Sequence, residues 1–174
     1  MSSLKELALK RESCRNYIEK PIAHEVLTEL VETAILAPSA SNRQSWRFAL
    51  CEGETAKKVA ALCEVKPGVN AWAKNCPAFI VISSTTRQSQ ILDTTHEFPI
   101  VDAGIATAYL CLAATEKGLS TCIIGAMDET GIKTLLDIDP QRRVHCVVAL
   151  GYGAEAPSLQ KDRLPYAELV REYR

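Results

Sequence analysis

The chain lacks a dominant charge: 20 Lys and Arg stand against 21 Asp and Glu, for a net charge of −1 over 174 residues. That balance exerts no long-range pull on nucleic acid or an anionic membrane, so any anion must be held by a local cluster. No run approaches the roughly 20 apolar residues of a membrane span. The start, Met1 to Lys10, carries Lys5, Glu6 and Lys10 and has no apolar core, which argues against a signal peptide. No G-x-G-x-x-G and no Walker loop is present; Gly151-Tyr152-Gly153 is too little for a dinucleotide turn. The three histidines, His24, His96 and His145, have no paired metal spacing. The seven cysteines are odd in number, form no C-x-x-C and sit mostly in apolar runs. They are expected to be reduced, buried thiols of a cytoplasmic protein, not a disulfide framework or a zinc site.

What is present is one domain's worth of sequence over 1–174, with 47% apolar residues. Ser3 with Glu6 predicts a capped first helix ending near Arg11. The segment from Arg11 to Ile18 reads as extended. Val26, Leu27, Leu30, Val31, Ala34 and Ile35 recur at helical spacing over 24–36, and Ala37-Pro38 stops that helix. Strands are expected at 46–51, 78–83, 120–124 and 144–150, the second as a continuous buried run, AFIVIS. Shorter helices are expected at 54–63 and, capped by Asp128, at 129–136. Residues 84–99 read as an exposed polar loop. The longest helix, 100–117, is apolar nearly all round and closes on Gly118. Such a helix must be covered on every side, as a core element, a dimer interface or both. The pattern is α+β in three layers, helices flanking a sheet of about four to five strands.

Two segments carry chemistry. In Arg11-Glu12-Ser13-Cys14-Arg15, alternate residues of an extended chain share a side, so two guanidiniums and a hydroxyl converge. A guanidinium fork suits phosphate; taken alone, the pattern is better read as a solvated basic face after a surface helix. Lys161 and Arg163 repeat the logic near the other end. The second segment runs Ala37-Pro38-Ser39-Ala40-Ser41-Asn42-Arg43-Gln44-Ser45-Trp46-Arg47-Phe48. Its hydroxyls and amides suit a polar ring edge, or are simply a polar loop, and Trp46 reads as a core anchor. Gly125, after the strand ending at Ile124, would let the backbone approach a flat ligand. His24 and His145 read as structural. His96, near Asp93 and Glu97, is the one histidine placed as a substrate neighbour.

In this order, and with Asp102-x-Gly104, Lys117-Gly118-Leu119-x-Thr121 and Ala149-Leu150-Gly151-Tyr152-Gly153, the chain resembles the FMN-dependent nitroreductase family from end to end. The resemblance implies a homodimer with FMN at the subunit interface and the long helix at that interface. It implies that Arg11, Ser13, Lys161 and Arg163 hold the phosphate and ribityl chain, and that Arg15 stabilises charge on the reduced ring. It assigns Pro38, Ser39, Ala40, Ser41 and Asn42 to a loop reaching the partner's flavin, Ile124 and Gly125 to the backbone near flavin N5, and Asn70 and Lys74 to further ring-edge contacts. The implied activity is NAD(P)H-driven reduction of nitroaromatics, quinones or similar acceptors, donor and acceptor using one space in turn. A flavin enzyme that does not use nicotinamide and a non-catalytic flavin-binding protein stand as alternatives. Ser45 replaces a proline common in the family, Ile124 replaces an acidic residue of some members, and the stretch 84–99 is short, which implies a more open site.

Overall fold

The Ser3 hydroxyl accepts from the Glu6 amide at 3.2 Å while the Glu6 carboxylate accepts from the Ser3 amide at 2.8 Å. This reciprocal cap satisfies two of the amides a helix start leaves unpaired, and it opens α1, Leu4–Lys10. In this computed structural model, which describes residues 3–92 and 94–174, there follow β1 (Tyr17–Ile18), α2 (His24–Ala34), β2 (Trp46–Glu52), α3 (Gly53–Cys63), β3 (Ala78–Thr85), β4 (Ser89–Ile91) and β5 (Thr94–His96). The chain continues through α4 (Phe98–Glu116), β6 (Ser120–Ile124), α5 (Glu129–Leu135), β7 (Arg142–Gly153) and α6 (Tyr166–Leu169).

β7 is the hub of a five-stranded sheet: β3 pairs with it and carries β2 on its far side, and β6 and β1 also pair with β7. All these pairings are antiparallel. The sheet is mixed only through an isolated parallel bridge between Ser13 and Thr121. Both faces are covered, which explains the unbroken apolar run of β3. Phe79 and Val81 pack with Ala56, Val59 and Cys63 of α3 and Ile132 of α5. Ala78, Ile80 and Ile82 pack with Leu27 and Leu30 of α2 and Leu110 and Ala114 of α4. Side chains such as Phe79, Leu27 and Leu110 are fully buried, each stabilising the fold by about 1.5–3 kcal/mol.

Three expectations change. Residues 84–99 are not simply a loop: Ser89 to Ile91 pair with Thr94 to His96 as a hairpin. Threonine-rich sequence pairs readily as strand, and polarity alone had hidden it. Asp93 and the first two residues lie outside the described residues. The long helix starts at Phe98, with Pro99 in its first turn, where a fixed φ favours helix and the missing amide costs nothing. At 19 residues it is also long and apolar enough to cross a bilayer by length and composition, with half of it buried against the rest of the chain. β7 is longer than expected and ends where the chain crosses Tyr17; a Cβ on Gly151 would meet the Tyr17 ring at 2.6 Å, so only glycine fits.

Candidate functional site

The extended segment after α1 is fixed against β6 by the Cys14 amide, which donates to the Thr121 carbonyl at 2.9 Å. The far end of the chain returns to it through Glu12, whose carboxylate accepts from the Ser158 amide at 3.0 Å and lies 3.8 Å from the Lys161 ammonium. Lys161 also donates to the Ser158 carbonyl at 2.7 Å. The result is an open cavity of about 370 Å³ lined by Arg11, Glu12, Ser13, Gln160, Lys161, Asp162 and Arg163. Arg11, half-buried, engages no protein acceptor among the described residues, and the Ser13 hydroxyl is exposed. Two ends of the sequence thus supply three cations and a hydroxyl to one concavity, a donor set that fits a phosphate ester.

Arg15 stands outside this cavity. It is exposed, with Nη1 3.4 Å from the Ser13 carbonyl. Burial pushes the Cys122 thiol up, and the charge of nearby Arg15 opposes that shift.

The loop after α2 is built from its own polar groups. Ser39 Oγ accepts from the Gln44 amide at 3.0 Å, and the Gln44 side chain donates to Asn42 Oδ1 at 3.2 Å. Ser41, Asn42 and Gln44 all hold positive φ, at 52°, 51° and 47°. Left-handed backbone at three non-glycine residues persists only where neighbours enforce it. The loop is also tied to the helix behind it, through the Ala40 amide donating at 3.0 Å to Oδ1 of Asp102, a buried carboxylate of α4. Pro38, Ser41 and Asn42 are exposed, Ser39 and Ala40 half-buried. None of the five lines the cavity of Arg11 and Lys161. Within one chain the two halves of the candidate site are separate.

Ile124 turns its side chain into the core, and Gly125 is exposed, with nothing within 4 Å of where a Cβ would sit. Gly125 lines a cavity of about 270 Å³ with Ile100, Met127, Glu129, Arg143, Val144 and His145. Asn70, itself left-handed at φ 60°, donates through Nδ2 to the carbonyls of Cys63 and Ala126, both at 3.2 Å. It therefore clamps the backbone just after Gly125 onto the end of α3, and its Oδ1 is left for other contacts. Lys74 lines a different cavity, of about 570 Å³, with Tyr17, Lys20 and Cys76. The Tyr17 hydroxyl is buried without a hydrogen-bond partner among the described residues, and burial raises its pKa far above the ordinary range.

The histidines divide. His24 pairs with Glu52 at 2.6 Å, which raises its pKa through that hydrogen bond. His145 Nε2 lies 2.6 Å from Ser84 Oγ, and burial, with Arg143 nearby, lowers its pKa. His96 stacks on Phe98, ring centroids 5.1 Å apart. Sequence reasoning missed the arginines at the start of β7. Arg142 and Arg143 pair with Thr85 and Ser84 only through a register shifted by a bulge after Ile82, which no local pattern announces.

Taken together, the fold and the donor set define a three-layer α+β domain whose chain ends form a phosphate-sized cationic cradle beside a glycine-ended strand. The family model of the nitroreductase family matches residues 8–66 and 56–152, and the chain belongs to that family. It is 28% identical to the NAD(P)H-linked FMN reductase of Bacillus subtilis over 88% of this chain and 66% of that one. It is 26% identical to the NADH dehydrogenase of Thermus thermophilus, over 95% of this chain and 94% of the relative. Among solved structures, an oxidoreductase containing FMN superposes with a TM-score of 0.83 at 26% identity, over 99% of this chain and 93% of that one.

Proposed function

We propose that this chain, as one domain, is an FMN-dependent oxidoreductase that takes electrons from NADH or NADPH and passes them to a nitroaromatic, a quinone or a similar small acceptor. The observation that carries the reading is the convergence of Arg11, Ser13, Lys161 and Arg163 on one cavity. FMN fits these residues: a phosphate suits the cradle, and the space over Gly125 admits a flat ring. When bound, the flavin supplies the hydride chemistry, and the protein positions it and tunes its potential. Arg11, Lys161 and Arg163 would neutralise the phosphate, and Ser13 would donate to it or to the ribityl chain. Arg15 would supply positive charge at the ring edge where negative charge develops. Asn70, through its clamp on Ala126, keeps the Gly125 backbone in place.

The working form is a homodimer, and the cell compartment is the cytoplasm. The support for the dimer is an apolar stripe on α4, where Val101, Gly104, Ala108 and Tyr109 are exposed one helical turn apart and thin enough for a second helix to approach. The tail adds exposed Leu164, Tyr166, Leu169 and Tyr173, more apolar surface than an isolated segment carries for no reason. A second copy would bring its Ser39–Asn42 loop to the flavin that this chain's cradle holds. The support for the compartment is seven cysteines, all unpaired.

The test is the cofactor and its reduction. Heat-released cofactor should be FMN, and NADH or NADPH should bleach its absorbance. Initial rates at several acceptor concentrations should give parallel lines, as a substituted enzyme requires. FAD in the supernatant would refute the cofactor assignment. Intersecting lines would refute alternation, and an FMN that neither nucleotide bleaches would leave a flavoprotein with another donor or with no turnover.

A further inference from the structure

A second cationic cavity lies on the other side of Asp102, and nothing in the proposed reaction uses it. It holds about 360 Å³ and is lined by Arg43, Gln44, Ser45, Arg47, Thr85, Arg87, Phe98, Pro99, Asp102 and Arg142. That is within the range of small-molecule sites, about 300–1,000 Å³. We propose that this cavity is a binding site for the phosphate monoester group of a small organic molecule.

The charge is the first argument. Four guanidiniums meet one carboxylate, Asp102, whose Oδ1 already accepts from the Ala40 amide. Among the described residues none of the four arginines forms a salt bridge with Asp or Glu. Like charges gathered at this density repel, and a protein of net charge −1 has no general need for them. A doubly charged phosphate offsets most of the excess.

The second argument is orientation. Arg142 Nη2 donates to the Ser45 carbonyl at 2.7 Å and the Ser83 carbonyl at 3.3 Å, and its Nε lies 3.4 Å from Ser83 Oγ, which leaves Nη1 free. Arg47 Nη1 donates to the carbonyls of Trp46 at 2.7 Å and Gln44 at 3.2 Å, leaving its other nitrogens free. These forks are held in place before any ligand arrives, so binding costs little side-chain entropy. Backbone carbonyls orient them without neutralising them.

The third argument is independent of the arginines. The Ser45 hydroxyl, from a residue on the cavity lining, is shut off from solvent and has no hydrogen-bond partner among the described residues. An unpaired buried hydroxyl is costly, and a small turn of the Ser45 side chain toward the cavity would let a phosphate oxygen satisfy it. The start of α4 adds the partial positive charge of a helix N-terminus. Phe98 and Pro99 form an apolar wall, which suits an organic body attached to the phosphate.

The site is independent of the FMN cradle in its residues, but its use in turnover rests on the function proposed above. Two sources present this chemistry: the 2′-phosphate of NADPH, and a phosphorylated metabolite or free phosphate unconnected with the donor. The purified protein is titrated calorimetrically with 2′-AMP, 5′-AMP and inorganic phosphate, and Arg87→Ala and Arg142→Lys are titrated in parallel. Arg87 makes no hydrogen bond to protein among the described residues, so its loss leaves the local scaffold intact. FMN content and sedimentation of each variant are recorded alongside. Saturable binding of at least one probe, weakened about ten-fold or more by each variant with dimer and FMN retained, supports the site. A preference for 2′-AMP, with NADPH favoured over NADH in flavin reduction, identifies the donor as the source; equal binding of all three identifies a site unconnected with it. Absence of binding by every probe, or binding that Arg87→Ala does not weaken, overturns the proposal. Loss of the dimer in Arg87→Ala also overturns it, because the arginines would then be partners for the second subunit's carboxylates. Failure of FMN binding shows in the cofactor content, so it is not confused with failure at this cavity.

Discussion

Asp102 is the residue whose removal should tell most about how the two halves of the site are coupled. It is 4% exposed, in the second turn of α4, and it receives the Ala40 amide at 3.0 Å. A hydrogen bond to a charged acceptor contributes about 1.5–3 kcal/mol. Asp102→Ala should therefore lower Tm by about 4–8 °C, taking 2 kcal/mol and the sensitivity usual for chains of this size. The same contact anchors the loop in which Ser41, Asn42 and Gln44 are left-handed, so its loss should let the loop relax to easier backbone angles. If that loop touches the partner's flavin, FMN affinity falls by up to about 30-fold, the equivalent of the same 2 kcal/mol. Asp102→Asn keeps an oxygen acceptor and should lie between the wild type and the alanine variant in both measurements. Thermal melts at fixed protein concentration and fluorescence titration with FMN give the two numbers. A melting point for Asp102→Ala within 1 °C of wild type, or an asparagine variant weaker than the alanine one, would refute the reasoning.

Arg15→Ala should retain FMN but slow its reduction by NADH, whereas Arg11→Ala should mainly weaken FMN binding; stopped-flow bleaching and equilibrium dialysis separate the two, and identical defects would show that the division of roles is wrong. Asn70→Ala breaks two hydrogen bonds and places alanine at φ 60°, so it should cost about 2–3 kcal/mol in urea unfolding, while Asn70→Gly should recover only the backbone part. Glu129 accepts from Lys133 at 2.9 Å and from the Val144 amide at 3.0 Å; burial pushes its pKa up, but these partners and Arg143 outweigh burial and hold it below the usual range. Its stabilising effect is thus complete above the ordinary glutamate pKa and is lost as pH falls through the lowered folded value. Glu129→Gln should be less stable than wild type at neutral pH, with a shallower loss of stability in acid, as urea midpoints between pH 3 and 7 would show.

Elements with a local cause were legible in the sequence. The Ser3–Glu6 cap, the Asp128 cap, the Pro38 stop and the β3 apolar run each act within a few residues, and the structure places them as expected. The hairpin at 89–96 was not legible, because its strands are three residues each and polar on both sides, so alternation carries no signal. The cradle was half legible: Arg11, Ser13 and Arg15 share a spacing, but Arg15 leaves the group, and Lys161 joins it through Glu12 and Ser158, contacts that only the folded chain defines. The arginine cavity was not legible at all. Its members come from four stretches of chain between residues 43 and 142, and neither Arg87 nor Arg142 marks itself by local sequence.

The burial of the thiols bears on how long such a protein survives its own turnover. Flavins that carry electrons leak some of them to oxygen, and the peroxide formed attacks thiolates, not thiols. Burial raises Cys51 and Cys146 to about 11 and Cys63 and Cys76 to about 12, and it raises Cys111 and Cys122 as well. At neutral pH those sulfurs stay protonated and packed among apolar side chains, so they are poor targets. Cys14 differs: it is half-buried, two residues from the Asn16 carbonyl that holds its sulfur at 3.2 Å, and it sits between Ser13 and Arg15. Oxidative wear should therefore begin at Cys14, the half-buried thiol of the extended segment that also carries Ser13, before the fully buried thiols of the core are touched.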